Sequence, residues 1–385
     1  MGPDRLRERV AAAYPGFVEN LRYLVDVDCG TWNAQGVGKI ADFCAQRLTT
    51  LGCTVERLPM RHPDGRPLGD LVIGRRTGRD SAGRRFLLLA HMDTVFENGT
   101  VAARPFRVDG AIAYGPGVTD DKAGLLAGLT ALRTLVEDGA EPYAELVVVC
   151  SPDEEIGAPA SRPHIERLAA AADIVLCLEC ARENGALVQA RKGIADIRIT
   201  VTGRAAHAGI EPERGANAAL AAARLVVELQ ALNGKWPGTT VNVGVINGGT
   251  RPNIVCPQVV IDGEVRASTA AGLAAALDEI DRLARREWVP GTRSSVQRNG
   301  VVEPMQAAAE LVAAAQRVAA GLGFEVGAVS TGGVADANLA AGVGAATLDG
   351  LGPVGGGDHS ESEWLDLDSI IPRICLLTGL ILNLA

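Results

Sequence analysis

The chain has 385 residues, 47% of them hydrophobic and 22% charged, with a formal net charge of −9. This length has room for two domains and a substantial core. The negative balance argues against nucleic acid or an anionic membrane as a partner.

The opening residues Met1 to Arg9 are charged and lack an apolar stretch, so no signal peptide is expected. No membrane span is expected either. Most of the eight cysteines, among them Cys44, Cys150, Cys177 and Cys375, lie inside apolar segments. That is the pattern of free buried thiols in a reducing, cytoplasmic compartment. Cys177 and Cys180 form a C-x-x-C, with no second pair to complete a zinc knot.

Taken in order, Phe17–Val25 and Val37–Leu48 have helical spacing, whereas Cys53–Leu58 alternates as a strand would. Leu71–Gly74 is a second strand candidate. Phe86–Ala90 is a continuous apolar run, which suits a central strand covered on both faces. It ends in His91-Met92-Asp93, and a glycine-rich turn from Tyr114 to Lys122 follows. His91 and Asp93 are two apart, so in extended chain they point the same way.

Ala123–Leu135 reads as a helix. Ala144–Cys150 and Ile174–Leu178 are further buried strands, ending at Asp153-Glu154-Glu155 and at Glu179. Apolar strands separated by helices predict an α/β fold with a doubly wound mixed sheet. Ligands in such sheets bind beyond the carboxyl ends of the strands.

The pattern changes near residue 194. Strand, helix, strand, strand, helix, strand follow at 197–202, 216–232, 240–245, 259–265, 271–288 and 294–298. That order is the ferredoxin-like α+β unit. It predicts a catalytic domain over 1–193 and 301–385, interrupted by an inserted domain over 194–300. A helix at 307–321, a strand at 345–348 and a closing helix at 369–384 complete the chain.

The histidines in glycine- or acid-rich contexts are His91, His207 and His359. The nearby acids are Asp93, Asp120, Asp121, Glu154, Glu155 and Glu179. So many carboxylates at one sheet edge repel one another unless solvated or interleaved with cations. Three carboxylate ligands and a carboxylate base carry four negative charges, which two divalent ions would neutralise. Mixed imidazole and carboxylate ligands suit zinc, with cobalt or manganese as substitutes. Singly, each feature has a plainer reading: His-x-Asp as a surface pair, Glu-Glu as a helix start, Asp120-Asp121-Lys122 as a helix cap.

Six stretches in order carry a resemblance. They are Leu89-Ala90-His91-Met92-Asp93-Thr94-Val95, Gly115 to Lys122, Asp153 to Gly157, Leu178-Glu179, Ala206-His207-Ala208-Gly209 and Gly355 to Ser360. Together they resemble the di-zinc aminoacylase and carboxypeptidase family. That family includes glutamate carboxypeptidase, acetylornithine deacetylase and succinyl-diaminopimelate desuccinylase, and the glutamate carboxypeptidase branch is the most similar.

The resemblance implies that His91 and Glu179 hold one zinc and Glu155 and His359 the other. Asp120 would bridge both ions, followed by a cis peptide to Asp121, with Asp93 orienting His91. Glu154 would be the general base. It also implies a homodimer through 194–300, which would serve as a dimerisation (lid) domain. His207 would reach the partner subunit's site to stabilise the oxyanion. Asn253 and Arg266 would contact the substrate, an arginine fork pairing well with a free carboxylate. Arg298 is a weaker candidate for a second such contact.

The expected activity is hydrolysis of an amide or peptide bond next to a free-carboxylate amino acid, in a small peptide or N-acyl amino acid. The alternatives are an N-acyl-amino-acid deacylase or dipeptidase, or a non-catalytic metal- or peptide-binding relative. Ala123, Cys180 and Ala335 depart from the family's commonest residues. Thr331–Asn338 should line the substrate pocket.

Overall fold

Strand Arg85–His91 is buried from Phe86 to its end, as its unbroken apolar sequence requires. In the computed structural model, which describes residues 1–385, the chain divides into two compact units. One comprises Met1–Ala190, Met305–Thr331 and Ala335–Ala385; the other comprises Arg191–Pro304 and Gly332–Val334.

The first unit is built on a six-stranded mixed sheet. Its spatial order is Thr54–Arg61, Pro67–Thr77, Glu145–Ser151, Arg85–His91, Ile174–Cys177, Ala346–Leu348. The last four strands run parallel, and the first two are antiparallel additions. Parallel strands covered on both faces need apolar residues at every position. Leu87, Leu88, Leu89, Val148, Val149, Val175 and Leu176 supply them. Each such side chain stabilises the fold by about 1.5–3 kcal/mol relative to exposure. Three of the parallel strands end on the same edge, at or just before the predicted site residues 91–93, 153–155 and 179.

Helix Ala34–Thr50 packs on Pro67–Thr77, and helix Lys122–Asp138 packs on Arg85–His91. Gly124 lets the start of the second helix lie close to the chain at the end of Ile174–Cys177. A Cβ at Gly124 would collide with the carbonyl oxygen of Leu178, the residue before Glu179. The segment Leu367–Leu384 is apolar and long enough to meet the criterion for a membrane span, with mean hydropathy 1.6. In the structure 61% of it is buried, because helix Ile370–Leu384 packs against Pro3–Val25, Lys122–Asp138 and Ala309–Gly321 as a core helix.

The second unit has a four-stranded antiparallel sheet in the order Thr240–Gly248, Gln258–Ala267, Gly193–Thr202, Arg293–Val302. Numbered in chain order the strands lie 2-3-1-4, which is the ferredoxin-like arrangement. Gly193–Thr202 alternates, with Ala195, Ile197, Ile199 and Val201 inward against Leu225, Leu229, Leu277 and Ile280 of the helices Ala218–Gln230 and Ala270–Ala284. Asn217 and Thr269 cap those helices through their side chains.

Candidate metal centre

The five predicted metal ligands all belong to the first unit and converge. The turn Gly115–Asp121 delivers Asp120, whose two oxygens face opposite ways. Oδ1 lies 2.9 Å from His91 Nε2, and Oδ2 lies 3.2 Å from His359 Nε2. Glu179 Oε1 stands 3.8 Å from His91 Nε2, and Glu155 Oε2 stands 3.0 Å from His359 Nε2. Two donor sets result, His91–Asp120–Glu179 and Asp120–Glu155–His359, each with its ligand atoms within 4.8 Å of one another. Asp120 is common to both. The peptide bond from Asp120 to Asp121 is cis.

Asp93 organises the surroundings. Its backbone oxygen lies 3.0 Å from His91 Nδ1 and its Oδ1 lies 3.4 Å away, which turns Nε2 toward Asp120. The same carboxylate accepts from Thr31 Oγ1 at 2.6 Å and from the backbone N–H groups of Glu154 and Glu155. Asp93 therefore ties the ends of two neighbouring strands. His359 sits in the left-handed region at φ +62°, a conformation a non-glycine residue adopts only where its surroundings hold it. Its loop is fixed by Ser360 N–H and Oγ–H donating to the Gly357 carbonyl.

The electrostatics call for cations. Burial opposes a charge on His91, but hydrogen bonds to Asp120 and Asp93 push its pKa well above the ordinary value. Hydrogen bonds to Asp120 and Glu155 raise His359 to about 10. Burial raises Glu154, helped by Glu179 and Glu155 although His91 opposes them. Burial and the neighbouring Asp120 likewise raise Glu155 although its hydrogen bond to His359 opposes them, so the crowded acids resist carrying charge together unless cations lie among them. Imidazole nitrogens and carboxylate oxygens in two sets sharing one aspartate match the donor chemistry of a pair of borderline divalent ions. The residues present fit such a pair.

Comparison with known proteins agrees. Residues 87–383 match the sequence profile of peptidase family M20/M25/M40. Carboxypeptidase G2 of Pseudomonas sp. (strain RS-16) is 32% identical over 379 residues, covering 96% of this chain and 89% of that protein. The chain belongs to peptidase family M20/M25/M40.

Among solved structures, aminopeptidase PepT from Bacillus cereus ATCC 10987 has a TM-score of 0.77 at 24% identity, covering 98% of each chain. The Bacillus subtilis YXEP protein, described as a dinuclear metal binding peptidase from the M20 family, has a TM-score of 0.71 at 16% identity. It covers 97% of this chain and 98% of its own. As an M20/M25/M40 member the chain is a metallopeptidase-type hydrolase with the family's α/β fold.

The second unit holds the other predicted residues. His207 is exposed, its Nδ1 accepting from Gly209 N–H at 3.2 Å. Asn253 is also exposed, and its carbonyl accepts from Ala208 N–H. The Arg266 guanidinium already holds Glu264 through two nitrogens and donates to the Gly332 carbonyl at 2.8 Å. Arg191 donates to Gly333 in the same short segment. Arg298 pairs with Asp281 at 2.8 Å. Neither Cys177 nor Cys180 is in a disulfide.

Three further charged residues are buried around the centre. Glu363 is 1% exposed and accepts from the turn that carries Asp120. Asp336 is buried and accepts from Ser151 Oγ at 2.7 Å, and burial raises its pKa to about 7. Lys122, also buried, donates to the carbonyl of Pro116 at 2.8 Å, within the same turn. Glu363 lies in a Ser-Glu-Ser-Glu run and reads as solvated surface, whereas Lys122 closes the glycine-rich turn already singled out.

Proposed function

We propose that this chain is a di-zinc hydrolase that releases an amino acid bearing a free α-carboxylate from a small peptide or N-acyl amino acid, in the manner of a glutamate carboxypeptidase. The observation that carries the reading is the placement of Asp120, one oxygen toward each histidine-carboxylate set. Similarity to carboxypeptidase G2 over nearly the whole chain supports the substrate class.

His91 and Glu179 would hold one ion, Glu155 and His359 the other, and Asp120 both. Zinc suits the mixed donors, with cobalt or manganese able to replace it. When bound, the pair supplies Lewis acidity to the scissile carbonyl and lowers the pKa of water.

The chain's own residues do the rest. Glu154 and Glu155 are neighbours in a single 3-10 turn, Glu154–Ile156. Glu155 faces His359, leaving Glu154 to take a proton from the attacking water and return it to the leaving amine nitrogen. Asp93 holds both the His91 ring and the backbone of that turn. His207, whose Nδ1 is engaged by Gly209, would offer Nε2 across the dimer to the oxyanion developing in the partner subunit's site. Asn253 orients the substrate. Arg266 receives the substrate carboxylate, which competes with Glu264 for the fork.

We further propose a homodimer through the second unit. Its edge strand Thr240–Gly248 has no charged residue, and Val245 and Ile246 are 54% and 56% exposed. The proposed location is cytoplasmic, where eight unpaired cysteines would stay reduced.

The test is hydrolysis of a panel of dipeptides and N-acyl amino acids, each with a free and an amidated carboxyl terminus. Turnover should vanish on chelation, return with zinc, and favour the free carboxylates. Equal rates on amidated substrates would overturn the carboxypeptidase-like reading.

A further inference from the structure

Glu363 has no role in the chemistry set out above, yet it is among the least exposed charged residues of the first unit. Its side chain makes three hydrogen bonds, all to backbone. Oε2 accepts from Gly117 N–H at 2.8 Å, and Oε1 accepts from Thr119 N–H at 2.9 Å and Asp120 N–H at 3.1 Å. Three amides of one turn thus converge on one carboxylate, the arrangement by which loops bind anions. Here the anion comes from the chain itself, more than 240 residues away in sequence.

The position of Glu363 is fixed independently. It immediately precedes strand Trp364–Asp366, which pairs with Ile112–Tyr114 on one side and Gly355–Gly356 on the other. The first neighbour leads into the turn that carries Asp120. The second leads into the loop that carries His359. Gly117, with φ +71°, is one of the donors. A side chain there would be strained and would crowd Thr94, so the turn can close around the carboxylate only with glycine at this point.

We infer that Glu363 is a positioning residue: its carboxylate locks the Gly115–Asp121 turn so that Asp120 presents one oxygen to each histidine. It touches neither substrate nor the proposed ions. It acts through the backbone N–H of Asp120 and through the sheet shared with the His359 loop. A neutral amide cannot substitute. Glutamine would set an N–H₂ donor against at least one backbone N–H donor, leaving a buried group unpaired.

The inference rests on the reading of Asp120 as a shared ligand, and the test separates the two. Apo protein is titrated with Co²⁺, following visible absorption and affinity by chelator competition, for wild type, Glu363→Gln and Glu363→Asp. Wild type should take up two ions; failure at this step sinks the metal reading itself. In Glu363→Gln the second equivalent should bind about 10–100-fold more weakly, with an altered absorption spectrum. kcat should fall while KM stays within about twofold, and circular dichroism should remain that of wild type. Glu363→Asp keeps the charge but falls one carbon short, and should lose affinity less severely. It keeps the test open if the glutamine variant fails to fold. Two equivalents bound with wild-type affinity and spectrum in every folded variant would overturn the inference.

Discussion

His91 and Asp93 show how much one short motif can specify. Their spacing in a strand end placed them side by side, and the structure adds that Asp93 also accepts from Glu154 and Glu155 N–H. That second contact joins separate strands and could not be read from local sequence. Glu363 is the opposite case. A glutamate among serines reads as solvated, and only the fold shows that three backbone amides surround it. The assignment of Glu154 leads to a sharp expectation. Glu154→Gln should lower kcat by about 10²–10⁴-fold while metal content by atomic absorption stays at the wild-type level, since Glu154 is in neither donor set. Unchanged turnover in metal-loaded protein would remove Glu154 from the chemistry.

At the scale of elements, the long apolar strands were legible because parallel strands buried on both faces leave a continuous hydrophobic run. The short ones were not. Gly355–Gly356, Trp364–Asp366, Ile112–Tyr114 and Arg107–Asp109 form a sheet of two- and three-residue strands, too brief for any periodicity to develop. They nevertheless carry the loops of Asp120 and His359. The edge strand Thr240–Gly248 makes its own prediction. A long, uncharged edge with exposed valine and isoleucine is a pairing surface, and Val227 on the neighbouring helix is 69% exposed. Sedimentation should show wild type as a dimer. The double variant Val227→Glu, Ile246→Lys should be a monomer with unchanged circular dichroism. A wild-type monomer, or a variant that still dimerises, would place the interface elsewhere or nowhere.

At the scale of the whole molecule, the β-α-β-β-α-β order of the second unit was legible because each element carries its own period. What sequence order hides is that Gly332–Val334, some thirty residues beyond the rest of that unit, belongs with it. Arg266 and Arg191 bind the carbonyls of Gly332 and Gly333, contacts that no local pattern announces. The first unit likewise gathers its five proposed ligands from positions 91 to 359. An acidic cluster assembled from such distant segments needs something to offset its mutual repulsion, the part proposed for two divalent ions. The most direct test is equilibrium dialysis of metal-free protein against zinc, with metal counted per chain, for wild type and His359→Ala. A two-ion centre should hold two ions tightly in wild type and one in the variant. A wild-type chain that binds none, or a variant that still binds two, would contradict it.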